Sequence, residues 1–303
     1  MARCCMVFDS CSTVKNDEYS DVYVLPLMII ERQKAGGNYV EYRDLTEINE
    51  EGVIKKLLNG SILSTSQSSP KDTLELFDRI TSEYDEIFVF PGPVTITKQY
   101  ESFKTILSEY DNVHIFNQNM LGKMAQWTCD DLHPLLASDN LTVEVIQKYL
   151  NDTQYQRGGV LIVPEMKYLM RGGRVKKLKG LIATILKFKI LISYDNDGLT
   201  LKDHTSDVNK IPELTEKIID YILPGFKINA VKRIWIGCSP LSDPKFNIKE
   251  LEAELLKQFQ VPADFKLDYA PLTSVLAAHV GPNYILIGFD LGKNFVKHET
   301  PVV

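Results

Sequence analysis

The sequence predicts a two-domain α/β protein, with helices flanking a parallel β-sheet in the N-terminal domain and a mixed α/β C-terminal domain. Three observations support this prediction. The chain has 303 residues, more than one simple core usually holds. Hydrophobic residues make up 44% and charged residues 24%, as in globular proteins. Short apolar runs alternate with amphipathic segments, which is typical of strand–helix units. We expect the domains to span residues 1–163 and 164–303.

The first half of the chain is predicted to form the parallel sheet. A strand at 3–8 stops at Asp9 and Ser10, and open α/β sheets place ligands at the carboxyl ends of their strands. The next run, 21–30, is apolar nearly throughout, which is typical of a strand buried on both faces. Residues 39–43 are expected to extend or edge the same sheet.

Helices are predicted between these strands. Thr46 is expected to cap a helix that ends near Asn59, where Asn and Gly supply a stop signal. Further strands of this half are expected at 86–90, 113–116 and 160–163, and further helices at 71–84, 97–110, 120–136 and 141–150.

The second half begins with a short helix and then mixes strands with helices. A turn at 195–198 predicts a hairpin between two of its strands. Helices are expected at 164–170, 176–186, 211–222, 248–259 and 272–278, and strands at 188–194, 199–204, 233–237, 265–269 and 284–289.

Residues 64–70 are dense in hydroxyl groups and lead into an amphipathic helix. Ser69 can cap that helix, and Pro70 suits its first turn. If the hydroxyls converge on the free N–H groups of the first turn, they form a cradle for a small anion, with Thr65 and Ser66 as candidate ligands. An ordinary polar loop with a good helix cap explains the same residues.

A second candidate anion contact lies at 91–100, after a strand and before a helix. Thr97 and Lys98 stand just before the N-terminus of that helix, where N–H groups favour an anion. The alternative is a simple helix cap formed by Thr95 or Thr97.

Two further segments carry candidate functional residues. His279 precedes the last predicted strand, and its ring suits pairing with a carboxylate, although a lone histidine is also a common structural residue. Arg171 and Arg174 flank two glycines. They suit a phosphate or the acidic patch of a partner, and they also suit a helix end flanked by solvated arginines.

Composition excludes several functional classes. Lys and Arg total 34 and Asp and Glu total 40, a net charge of −6 without a basic stripe, so nucleic acid is not an expected partner. The five cysteines lack zinc or redox spacing and are interpreted as free thiols. No apolar run is long enough to span a membrane and no signal-peptide layout is found, so we expect a cytoplasmic protein. Common hydrolase, nucleotide-binding and zinc-protease motifs are also absent, and neither a metal nor a cofactor is expected.

Five short motifs follow one another along nearly the whole chain: Asp9-Ser10 after the first strand, Thr65-Ser66-Gln67, Tyr168-Leu169 leading into Arg171-Gly172-Gly173-Arg174, the strand at 187–192, and Ala278-His279-Val280-Gly281-Pro282. In this order and spacing they resemble the DegV family of bacterial fatty-acid-binding proteins.

The resemblance implies a carrier that holds one long-chain fatty acid, with its carboxylate between two domains and its acyl tail in an apolar tunnel. In members that serve a fatty acid kinase, the carrier presents the carboxylate to a separate ATP-binding subunit and has no catalytic nucleophile. On this analogy Thr65 matches the hydroxyl that binds the carboxylate, and His279 matches the histidine of the last motif. Arg174, with Arg171 beside it, is then a contact for the kinase.

The chain departs from the family pattern at the second candidate contact. The family usually has Ser-Gly-Thr-Tyr where this chain has Thr97-Lys98-Gln99-Tyr100. Thr97 keeps a hydroxyl, whereas Lys98 replaces a glycine and either pairs with the carboxylate or swings outward. Asn117-Gln118 likewise replaces the usual Asp-Ser. These departures affect the presentation of the fatty acid to a kinase rather than the fold.

The alternative function is an enzyme that acts on a small phosphorylated or carboxylated metabolite, with Lys98 and His279 as catalytic groups. A long apolar tunnel favours the carrier, and a short polar pocket favours the enzyme.

Overall fold

The computed structural model describes residues 3–32, 39–136, 138, 140–171, 188–241 and 247–292. The chain divides into two compact units. The first comprises Met1–Leu150 with Leu272–His279, and the second comprises Asn151–Pro271 with Val280–Val303. Each unit contains β-sheet and helices, so the predicted α/β class is confirmed.

The first unit contains two sheets. A parallel sheet has the strand order β2-β1-β6-β7, and a smaller antiparallel sheet has the order β4-β3-β5. Its strands are β1 (Cys4–Asp9), β2 (Val22–Leu25), β3 (Met28–Arg32), β4 (Tyr39–Arg43), β5 (Ile62–Ser66), β6 (Glu86–Phe90) and β7 (Val113–Ile115). The helices between them and after them are α1 (Glu50–Leu58), α2 (Pro70–Ile80), α3 (Gln99–Ile106), α4 (Gly122–Leu136) and α5 (Val143–Thr153).

The parallel sheet is buried between two layers of helices. On β1, Met6 and Phe8 pack in one apolar cluster with side chains of α4 and α5. Cys5 and Val7, which point to the other face, pack with side chains of α2 and α3. Because both faces are covered, the central strands β1 and β6 carry apolar residues on both faces over four or more consecutive positions instead of alternating with polar ones.

The apolar run at 21–30 is two strands rather than the single predicted one. Pro26 lies between them and has no N–H group with which to continue a ladder. β2 therefore ends in the parallel sheet, and β3 starts the antiparallel sheet, where it pairs with β4 and β5. The segment at 39–43 accordingly edges the smaller sheet.

The N-cap of α1 also differs from the prediction. Asn49 caps the helix, because its side chain accepts a hydrogen bond from the Gly52 N–H at 2.9 Å. The Thr46 hydroxyl instead donates to the Arg43 carbonyl at 3.4 Å. The prediction of Thr46 as the cap is wrong, and asparagine is the stronger N-cap of the two.

The second unit is built on a six-stranded mixed sheet with the order β10-β9-β8-β13-β11-β12. β11 pairs with β12 in parallel, and the other neighbours are antiparallel. The strands are β8 (Arg157–Val163), β9 (Lys189–Asp195), β10 (Gly198–Thr205), β11 (Arg233–Cys238), β12 (Asp268–Tyr269) and β13 (Ile285–Asp290). The helices of the second half are α6 (Met166–Arg171), α7 (Ile211–Ile222), α8 (Ile248–Gln258) and α9 (Ser274–Val280), the last of which spans the boundary between the units.

β8 does not complete the first domain as predicted, because it pairs with β9 and β13 in the six-stranded sheet. Side chains of α7 and α8 pack with those of β8, β11 and β13 in one apolar cluster. The helix predicted at 176–186 lies outside the described residues. Of the helices in the described ranges, none combines the length and apolarity needed to span a membrane.

Candidate functional site

Thr65 and His279 are joined by a hydrogen bond in the first unit, although they lie 214 positions apart in the chain. The Thr65 Oγ1 atom is 2.8 Å from His279 Nε2. β5 supplies the threonine and α9 supplies the histidine. Two residues that the sequence predicts for one binding site therefore lie side by side.

The hydroxyl groups near Thr65 do not converge as predicted. Ser64, Thr65 and Ser66 are consecutive residues of β5, and side chains on a strand alternate between its faces. Thr65 is partly buried, whereas Ser64 and Ser66 are exposed on the opposite face. The prediction of a single cradle of hydroxyls is wrong, because this segment is a strand rather than a loop.

The helix that follows β5 starts as predicted. Ser69 accepts a hydrogen bond from the Asp72 N–H at 3.4 Å, and Pro70 is the first helical residue. The Asp72 carboxylate accepts two hydrogen bonds from Arg43, at 2.7 Å and 3.0 Å. The Arg43 guanidinium lowers the pKa of Asp72 and ties β4 to the first turn of α2.

Asp9 holds the end of β1 against the loop that follows β6. Its carboxylate accepts hydrogen bonds from the Cys11 N–H at 2.9 Å and from the Gly92 N–H at 2.5 Å. Burial raises the pKa of Asp9 to about 6, and the two backbone N–H groups oppose this rise. A Cβ atom on Gly92 would lie 2.8 Å from Cys11 Sγ, so this close approach requires glycine. Asp9 thus fixes the loop after β6 against the end of β1.

Thr97 and Lys98 precede α3 and Gln99 is its first residue, and the three side chains have different surroundings. The Thr97 hydroxyl donates to the Gly92 carbonyl at 3.3 Å and accepts from the Gln99 N–H at 3.3 Å. The Lys98 side chain is exposed, which agrees with the outward orientation that the sequence left open. Gln99 is fully buried, and its Oε1 accepts a hydrogen bond from the Ser68 N–H at 3.1 Å. Gln99 therefore links this segment to the one after Thr65.

Sequence reasoning missed Asp44, a fully buried carboxyl group at the end of β4. Its Oδ1 accepts a hydrogen bond from the Leu45 N–H at 2.8 Å. Burial raises the pKa of Asp44 to about 6, and the hydroxyls of Ser274 and Ser10 partly offset that rise. Because Ser274 is the first residue of α9, Asp44 interacts with the helix that carries His279.

The motifs of the second half lie partly within the described residues. Arg171 is the last residue of α6, and Arg174 lies outside the described residues. Tyr168 of α6 packs against Gly281, which follows α9. The side-chain amide of Asn283 donates a hydrogen bond to the Glu165 carboxylate at 3.2 Å. These contacts connect the third and fifth of the sequence motifs.

Two of the surface pockets in the described part of the chain have volumes of about 380 Å³ and 440 Å³. Neither is lined by Thr65 or His279, so neither provides the tail site of a ligand held there. Within the described ranges, no three His, Cys, Asp or Glu side chains are grouped so that they could hold a metal ion.

Known proteins resemble the chain along most of its length. A family model described as "Uncharacterised protein, DegV family" matches residues 5–290. A DegV domain-containing protein of Mycoplasma genitalium is 25% identical over 297 residues, which cover 93% of this chain and 96% of that protein.

Solved structures show the same fold at lower identity. A DegV family protein from Thermus thermophilus, described by its fatty acid binding, has a TM-score of 0.75 and 21% identity, and the match covers 95% of this chain and 99% of that one. The Fatty Acid Kinase (Fak) B3 protein of Streptococcus pneumoniae, loaded with linoleic acid, has a TM-score of 0.71 and 14% identity, with coverages of 96% and 100%. Since the family model spans nearly the whole sequence, the chain belongs to the DegV family.

Proposed function

We propose that the protein binds a long-chain fatty acid and that Thr65 and His279 hold its carboxylate. The observation that carries the proposal is the 2.8 Å hydrogen bond between these two side chains, which come from a strand and a helix far apart in sequence. A hydroxyl that is hydrogen-bonded to an imidazole offers a carboxylate an oriented donor. The DegV proteins and the kinase B3 protein described with fatty acids support the choice of ligand.

The chemistry of the pair suits a carboxylate. A threonine hydroxyl can make up to three hydrogen bonds, so it can bond to His279 and to a ligand oxygen at the same time. When Nε2 carries a proton, His279 donates to the hydroxyl, and the hydroxyl can then direct its own proton to the ligand. Hydrogen bonds to a charged oxygen are about twice as strong as neutral ones.

Affinity and selectivity then come from different parts of the ligand. Burial of an acyl tail stabilises the complex by about 0.8 kcal/mol per CH₂, or on the order of 10 kcal/mol before ordering costs. A carboxylate removed from water is unfavourable by several kcal/mol unless it is hydrogen-bonded. The tail therefore supplies affinity, and the pair at Thr65 and His279 selects the acid group.

We further propose that the protein presents this carboxylate to a separate fatty acid kinase, which carries out the phosphoryl transfer. The likeness to the kinase B3 protein supports this step. In this proposal, Thr97 and Lys98 lie at the edge of the head site, and Arg171 and Arg174 contact the kinase. In this proposal the protein is a carrier with no catalytic residue and no cofactor of its own, and a cytoplasmic location follows from the same role.

The test is denaturing extraction of the purified protein, followed by mass spectrometry of the organic phase. We expect a long-chain fatty acid in a one-to-one ratio with protein, and a rise in Tm when fatty acid is returned to delipidated protein. An empty extract without any such rise in Tm contradicts the proposal. The search would then turn to small phosphorylated or carboxylated metabolites and to Lys98 and His279 as catalytic groups.

A further inference from the structure

Gln99 and Ser68 form a pair of buried polar side chains where the segment after Thr65 meets the start of α3. Gln99 is 0% exposed and Ser68 is 3% exposed. The Ser68 N–H donates to Gln99 Oε1 at 3.1 Å, which fixes the orientation of the amide. Among the described residues, neither Gln99 Nε2 nor Ser68 Oγ has a hydrogen-bond partner.

The chemistry of these two atoms defines what could bind them. Folded proteins pair nearly all buried polar atoms with protein, water or ligand. An amide Nε2 carries two N–H donors and accepts no hydrogen bond, so its partner must be an acceptor. A serine hydroxyl beside it can donate to the same acceptor. A carboxylate oxygen is the strongest acceptor that a fatty acid offers.

Thr97 is a weaker candidate for this donor role than the sequence suggests. Its hydroxyl has a single proton, which is directed at the Gly92 carbonyl at 3.3 Å. The same oxygen accepts from the Gln99 N–H at 3.3 Å, so Thr97 serves to shape the loop. Gln99, two residues later, has both of its amide protons available among the described residues.

We propose that Gln99 Nε2, together with the hydroxyl of Ser68, whose N–H binds Gln99 Oε1, is the donor at the start of α3 that binds the fatty-acid carboxylate. This inference rests on the proposed function and assigns a head-group residue that replaces Thr97. It also accounts for a buried glutamine at the site, because a glutamine that only filled space would leave two donors unpaired.

The experiment compares palmitate with 1-hexadecanol, which has the same tail and no carboxylate, on delipidated protein. Gln99→Glu keeps the acceptor for the Ser68 N–H and removes both donors. We expect Gln99→Glu to raise the Kd for palmitate at least about tenfold at alkaline pH, and to change the Kd for hexadecanol less than about threefold. Ser68→Ala, a small change that the fold should tolerate, should raise the palmitate Kd about three- to tenfold.

Thr95→Val is the matched control, since it removes the 3.0 Å hydrogen bond from an exposed threonine of the same loop to Asn119 while leaving Gln99 in place. We expect it to lower Tm and to keep the palmitate Kd within about threefold of the wild-type value. Wild-type binding of palmitate together with unchanged affinity in Gln99→Glu and Ser68→Ala overturns this inference alone, and indicates that the pair holds an internal water. If the wild type binds no palmitate, both this inference and the proposed function fail.

Discussion

Gly281 and Tyr168 are packed so closely that a Cβ atom on Gly281 would lie 2.2 Å from Tyr168 Cδ2. Gly281 also has a φ of +83°, a conformation that residues with a side chain rarely adopt. The turn after His279 therefore depends on glycine for two separate reasons, one of backbone and one of packing.

Gly281→Ala should lower the unfolding free energy by more than backbone strain alone accounts for. Gly225→Ala is the matched control, because Gly225 has a φ of +80° and nothing within 4 Å of its Cβ position. We expect about 1–2 kcal/mol of lost unfolding free energy from the backbone in each variant. The clash with Tyr168 should add about 1–3 kcal/mol for Gly281→Ala. Equal losses in urea unfolding of the two variants would mean that Tyr168 moves aside without cost.

Thr65→Val should weaken fatty-acid binding without disturbing the fold. Valine has a similar shape and suits a strand, but it cannot hydrogen-bond to a carboxylate. We expect a loss of about 1.5–3 kcal/mol, or roughly a tenfold to hundredfold rise in Kd by fluorescence titration. Ser64→Val is the control, since Ser64 lies on the opposite face of β5 and its substitution should leave Kd unchanged. Equal effects of the two substitutions on Kd would show that the carboxylate binds elsewhere.

Lys98→Gly tests whether the exposed lysine contacts the ligand. The side chain is solvated, so we expect a less than threefold rise in Kd at low salt, from long-range attraction of about 0–1 kcal/mol. This difference should vanish at roughly 0.5 M salt, where screening is strong. A tenfold loss that persists at high salt would falsify the outward orientation and indicate a direct ion pair.

Asp44→Asn should change how stability depends on pH. Burial raises the pKa of Asp44 from 3.8 to about 6, so the folded state binds this proton more tightly than the unfolded state. The stability that this proton contributes is complete below about pH 4 and is lost as the pH rises to about 6. Its full size is about 3 kcal/mol at roughly 1.4 kcal/mol per pKa unit.

The asparagine variant lacks this loss, so its unfolding free energy relative to wild type should rise between about pH 4 and pH 7. Chemical denaturation at several pH values measures this difference. The exposed Asp264→Asn controls for the loss of one negative charge. A constant difference between Asp44→Asn and wild type across this range would show that Asp44 ionises in the folded state as easily as in the unfolded state.

Local patterns predicted most elements of the fold, because hydrophobic periodicity and capping act over a few residues. The pattern predicts β6 to the residue, and it identifies Ser69 as the N-cap of α2. The incorrect predictions concern which strands pair in a sheet. Nothing local distinguishes a strand of one sheet from a strand of another. The run at 21–30 is therefore predicted as one strand although β2 and β3 belong to different sheets, and β8 is predicted in the first domain although it belongs to the six-stranded sheet.

The candidate site was predicted in part. Thr65 and His279 could be brought together only through the family resemblance, since no local pattern connects residues 214 positions apart. The pKa of Asp44 depends on its burial and on its interaction with Ser274, neither of which a single sequence reveals. Gln99 was visible only as a departure from the family pattern. Its chemical interest came from its complete burial and from the orientation fixed by Ser68.

The unit that holds Thr65 is completed by residues 272–279, which are translated only after residues 151–271 of the second unit. A ribosome must therefore synthesise that intervening segment before His279 can reach β5, even though domains commonly fold from the N-terminus as they emerge. If the proposed function is correct, a chain that stops before residue 272 lacks the histidine and cannot bind a carboxylate through this pair.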